Sequence, residues 1–172
     1  MRKLPILFVL MTSSMAFAAD DANPISGTMK GTYERVKKFL IGAADQMPPA
    51  DYAFKPTPDV RSFGQLIGHV ADASYMFCSA AKKEKLAPKN IEKTATTKDA
   101  LKKSLADAFA YCDAVYGTLT DATLKEPAEL PFMKTSKFGA LDINVAHDNE
   151  HYGNIVTYLR LKKIVPPSSQ KE

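Results

Sequence analysis

The stretch Ala146-His147-Asp148-Asn149-Glu150-His151-Tyr152-Gly153-Asn154 carries two of the chain's three histidines, four residues apart. On a helix, positions i and i+4 lie one turn apart on one face, so both imidazoles can address a single point. The third, His69, sits in Ser62-Phe63-Gly64-Gln65-Leu66-Ile67-Gly68-His69, which also reads as helix. A helical bundle builds a metal site in its core in this way, with two ligands from one helix and one from a neighbour. Three histidines leave coordination positions open for water or substrate, as in catalytic rather than structural zinc sites. The expected ligands of a divalent cation, zinc foremost, are therefore His69, His147 and His151. A lone histidine on an apolar face is ordinarily a hydrogen-bonded core residue. Here the whole histidine inventory falls on two faces that can converge.

Outward from this stretch, the apolar pattern has a helical period throughout. Met29, Tyr33, Val36, Phe39-Leu40 and Ala43 mark a first helix over 26–46, stopped by Met47-Pro48-Pro49. A proline-rich connection follows, with Tyr52 and Phe54 expected to pack over the bundle. Ser62 and Gln65 have capping-box spacing and open a second helix to about Glu84. At about 100° per residue, Gln65, Asp72, Ala73 and Met76 share the face of His69. Thr96 or Thr97 caps a third helix that ends near Thr118. A long connection over 119–138 leads to a fourth helix, which begins between Gly139 and Asp142 and ends about Lys163. No strand alternation and no internal repeat stand out. The expected fold is all-α, a four-helix bundle with long crossover connections.

The amino terminus reads differently. Arg2 and Lys3 precede an apolar run from Leu4 to Met11, and Ala16-Phe17-Ala18 forms an A-x-A cleavage site. This is a secretory signal peptide over 1–18, too short to span a bilayer, followed by one domain over 19–172. The expected location is outside the cytoplasm, periplasmic or secreted, with no membrane association after cleavage. Removing the signal leaves 21 Lys+Arg against 19 Asp+Glu, a net charge of +2. That is too little for a nucleic-acid footprint, and the class is excluded.

Export would place Cys78 and Cys112 where a disulfide can form and persist. If the second and third helices were a simple antiparallel hairpin, the two cysteines would be offset by roughly 13 Å along the axis. That exceeds the ~7 Å reach between bridged Cα atoms. A bridge and two separate buried thiols both remain open on the sequence.

The pentapeptide His147-Asp148-Asn149-Glu150-His151 also fits H-x-x-E-H and nearly fits H-E-x-x-H. A zinc peptidase of those types needs a downstream carboxylate ligand, and beyond His151 there is only Glu172. Asp148 and Glu150 each point about 80° from the mean direction of the two histidines. They flank the site, where either could hold an imidazole N–H. Asn154 lies within about 40° of the histidine direction and could orient water or substrate. Gly153 beside it would admit a close neighbour. Asp72, Asp148 and Glu150 are the candidate general bases, none of them obvious.

His69 within Arg61-Ser62-Phe63-Gly64-Gln65-Leu66-Ile67-Gly68-His69-Val70, then His147 and His151 running into Tyr152-Gly153-Asn154, with Tyr158-Leu159-Arg160 and Val165-Pro166-Pro167 beyond, resembles the DinB superfamily of DinB/YfiT-like proteins. The resemblance spans the mature chain. It implies a four-helix bundle that is not simply up-and-down, and a zinc or nickel ion on His69, His147 and His151. Characterised relatives include thiol-dependent S-transferases and isomerases, so it implies a small-molecule substrate, unknown in identity, and hydrolysis or thiol transfer as the chemistry. Such bundles often pair, implying a homodimer. Asn154 stands where many relatives carry glutamine.

Overall fold

The computed structural model describes residues 22–170; the expected signal peptide lies outside them. Four long helices carry the fold: α1 (Pro24–Gln46), α2 (Phe63–Lys82), α4 (Lys98–Gly117) and α5 (Lys137–Leu161), with one helical turn, α3 (Ile91–Thr94), between α2 and α4. Their starts follow local chemistry. Ser62 and Gln65 form the expected capping box on α2, Thr97 caps α4 and Ser136 caps α5, each satisfying an amide that has no partner within its own helix. The α1 start is held from afar: Asp121 accepts the amides of Ile25 and Ser26 at 3.2 and 2.7 Å.

The helices form a ring in which α1 and α2 each pack against both α4 and α5. Consecutive helices α1 and α2 are therefore diagonal, as are α4 and α5, and each needs a crossover. The first crossover packs as its aromatics suggest. Tyr52 is buried and donates to the Ala44 carbonyl at 2.6 Å, while Phe54 meets Tyr158 edge-on. The core between α1 and α4 is built on Tyr33, stacked on Tyr116 with 3.8 Å between ring centres.

The second crossover contains two strands absent from the sequence expectation. β1 (Pro127–Leu130) pairs antiparallel with β2 (Met133–Ser136), with Pro131 and Phe132 at the turn. Ala128 and Leu130 face inward and Glu129 outward. The alternation exists but is only four residues long, and its turn lacks the Asn-Gly signal of a tight hairpin.

Helices α2 and α4 run parallel, not antiparallel. Gly64 lies against Leu101, Tyr75 against Tyr111, and Cys78 against Cys112, so residue numbers rise together along both helices. The supposition of an antiparallel hairpin, and the 13 Å offset drawn from it, fail for this reason. Cys78 and Cys112 form a disulfide with 5.4 Å between Cα atoms. No described helix is long and apolar enough to cross a membrane.

The bridge closes a loop of 34 residues, which corresponds to roughly 3–4 kcal/mol of chain-entropy stabilisation. Urea unfolding followed by circular dichroism should show that loss in the Cys78→Ser/Cys112→Ser double variant, and a similar loss in wild type under reductant.

Candidate metal centre

The three histidines converge. His147 Nε2 lies 3.1 Å from His69 Nε2 and 3.1 Å from His151 Nε2, and one ligand atom from each falls within 4.8 Å of the others. His151 is buried and the other two are half-buried. With metal–nitrogen bonds of 2.0–2.1 Å, tetrahedral ligand nitrogens stand about 3.3 Å apart, so the observed spacing fits one cation.

The tautomer at His69 supports this. Its Nδ1 stands 3.0 Å from a Glu92 carboxylate oxygen. The carboxylate accepts, so Nδ1 carries the proton and Nε2 is left as a lone pair facing its neighbours. Burial lowers the His69 pKa, with Arg61 and His147 adding to it against Glu92. Burial likewise lowers His151 to about 4, reinforced by His147, His69 and Arg61. Both rings are neutral near pH 7, as metal ligands must be. The His147 and His151 Nδ1 atoms are buried without hydrogen-bond partners among the described residues. This triad could bind a metal ion.

Glu92 was not anticipated from the sequence, because it belongs to no periodic segment. It sits on the single turn of α3, which two residues of α2 hold in place. Asp72 accepts the amides of Ile91 and Glu92 at 2.9 and 3.0 Å, capping that turn. Gly68 lets its backbone approach so closely that an added Cβ would stand 2.7 Å from the Glu92 Cα. The far oxygen of Glu92 accepts from Arg61 Nε at 2.9 Å, and Tyr158 donates to the Arg61 carbonyl at 2.6 Å. Arg61, Glu92 and His69 thus form a chain ending at the site. The signal that could have found it is Gly68 and Asp72 on the helix face near His69.

The other candidates fall elsewhere. Asp72 is spent on α3 and is not a base. Gln65 is turned back to the α2 cap. Glu150 and Asn154 are exposed, and a Cβ at Gly153 would meet open space, so no neighbour approaches it closely. Asp148 flanks the site on its inner side: it is fully buried, neither oxygen has a hydrogen-bond partner among the described residues, and its carboxylate is 3.9 Å from His147 Nδ1. That is beyond hydrogen-bond reach. Burial pushes its pKa up to about 6 against the pull of His147.

The sequence profile of the DinB superfamily matches residues 32–155. The chain belongs to the DinB superfamily. Similar solved structures include a DinB-like protein from Bacillus cereus ATCC 10987 (TM-score 0.71, 13% identity, 82% of this chain and 95% of that one). Another is a DinB-like protein from Bacillus subtilis (TM-score 0.66, 20% identity, 84% and 99%). A mycothiol-dependent maleylpyruvate isomerase is also similar (TM-score 0.63, 12% identity, 76% and 60%). At these identities the likeness speaks to the fold alone. Compared by sequence with curated proteins, the chain has no match.

Removing the Glu92 carboxylate should weaken the site without dismantling it. Glu92→Ala is expected to lower metal affinity by about 10–100-fold, measured by competition with a chromophoric chelator, with Glu92→Gln in between. Gly68→Ala should act on the same contact indirectly. It pushes α3 away, at a cost of about 1–3 kcal/mol in overpacking, and should reduce metal affinity in the same assay.

Proposed function

We propose that this chain is an exported, divalent-metal-dependent enzyme, with zinc on His69, His147 and His151, acting on a small molecule by hydrolysis or thiol transfer. The observation that carries the reading is the convergence of three imidazole nitrogens at 3.1 Å contacts beside a cavity of about 1230 Å³ that His69 and His147 line. A cation held there supplies Lewis acidity toward a water or thiol, or toward a substrate carbonyl. The chain's residues do the rest. Glu92 fixes the His69 ring and its tautomer, and Arg61 fixes Glu92. The α5 backbone sets His147 and His151 one turn apart, and the cavity gives access to His69 and His147. The similarity to a mycothiol-dependent maleylpyruvate isomerase supports a thiol as co-substrate. The buried disulfide supports export, since such bonds persist in oxidising compartments.

A second reading, a metal-binding bundle without turnover, draws on one observation. The carboxylates nearest the histidines are engaged or turned away: Asp72 caps α3, Glu92 holds His69, and Asp148 faces the core. Elemental mass spectrometry on the mature protein should find about one equivalent of metal, lost in His69→Ala and in His147→Ala while helicity is retained. Screening the loaded protein on thiols, esters and amides then separates the two readings. No metal in wild type after reloading would overturn both.

A further inference from the structure

We propose that the cavity beside the three histidines receives a small amphipathic carboxylate, its apolar body against the hairpin and its anionic group against a lysine rim. The proposal names a substrate class for the same site and so rests on the reading above. The cavity lies between α2, the returning connection 83–93 and the β1–β2 hairpin. Its volume, about 1230 Å³, exceeds the ~300–1,000 Å³ of ordinary small-molecule sites.

One part of the wall is apolar. Met76 from α2, Ile143 from α5, Leu86 from the connection, and Leu130 and Phe132 from the hairpin all line it. Phe132 and Leu86 are 63% and 39% exposed, so the wall continues outward as an uncovered apolar surface. A ligand that covered these side chains would remove that area from water.

The charge on the lining decides the sign of the ligand. Five lysines contribute: Lys83, Lys85, Lys89, Lys93 and Lys134. The acids of the same wall are mostly engaged. Asp72 accepts two amides, Glu92 binds His69 and Arg61, and Glu84 binds Lys82 and Tyr111. Glu129 sits opposite Lys134 in the hairpin register. Among the lysines, Lys83 pairs with Glu126 and Lys89 lies over the Tyr75 ring. Lys85 and Lys93 make no ion pair with any described residue. Unneutralised positive charge beside an apolar concavity favours an anion with a hydrophobic body and disfavours a cation of the same shape.

The test is calorimetric titration of the full mature protein, metal-loaded and metal-free, with octanoate, 1-octanol and octyltrimethylammonium. Octanoate is expected to bind both forms at least tenfold tighter than the alcohol, with the ammonium weakest. In the Lys85→Gln/Lys93→Gln/Lys134→Gln variant the octanoate preference should fall below threefold while octanol binding is unchanged. Equal binding of octanoate and octanol, a preference undiminished in the variant, or no binding of any probe would overturn the proposal. Octanoate binding confined to the metal-loaded form would also overturn it, by making the carboxylate a metal ligand, and would leave the metal reading standing. Octanoate binding to a protein that takes up no metal would do the reverse.

Discussion

The parallel run of α2 and α4 is the constraint on which the rest of the molecule depends. Helix α2 has 20 residues, about 30 Å of axis. A parallel neighbour can begin only after the chain has travelled back that far. Residues 83–97 make this return along the outside of α2, and halfway they dock as α3. The docking is specific: Gly68 admits the α3 backbone and Asp72 binds its amides. The return path thereby delivers Glu92 to His69. An antiparallel pair joined by a short loop would have no chain at that place, and His69 would have no carboxylate behind it.

The same path gives the site its open side. The returning segment and the hairpin between α4 and α5 stand as two walls over α2, and the cavity between them ends at His69 and His147. The Cys78–Cys112 bridge ties α2 to α4 near their carboxyl ends. The far end of the pair is closed by packing, where Gly64 meets Leu101.

Helix α5 carries polar side chains on its buried face. Its buried side carries Asn144, Asp148 and His151, exposed by 0, 0 and 7%, where an ordinary bundle helix would place leucine or isoleucine. Burying polar groups with incomplete partners is unfavourable, and the Asp148 oxygens and two imidazole Nδ1 atoms lack partners among the described residues. The helix persists because Leu141, Ile155 and Leu159, all fully buried, anchor both of its ends. Local rules broken in the middle of an element and kept at its ends are the pattern expected where a site has been built into a core.

Helix count, caps and the histidine trio are legible in the sequence because each depends on short-range physics. Capping needs a hydroxyl beside the first turn, amphipathic packing needs a 3.6-residue period, and paired ligands need a spacing of four. Ser62 with Gln65, Thr97, and His147 with His151 are all of this kind. The parallel direction of α4, the disulfide and Glu92 are not legible, because each arises between segments far apart in sequence; the hairpin is local, but its strands are only four residues long and its turn lacks an Asn-Gly signal. Glu92 lies 23 residues from the histidine it holds, and Cys78 lies 34 from its partner. No local periodicity encodes the direction in which a chain returns; the packing of the whole bundle decides it.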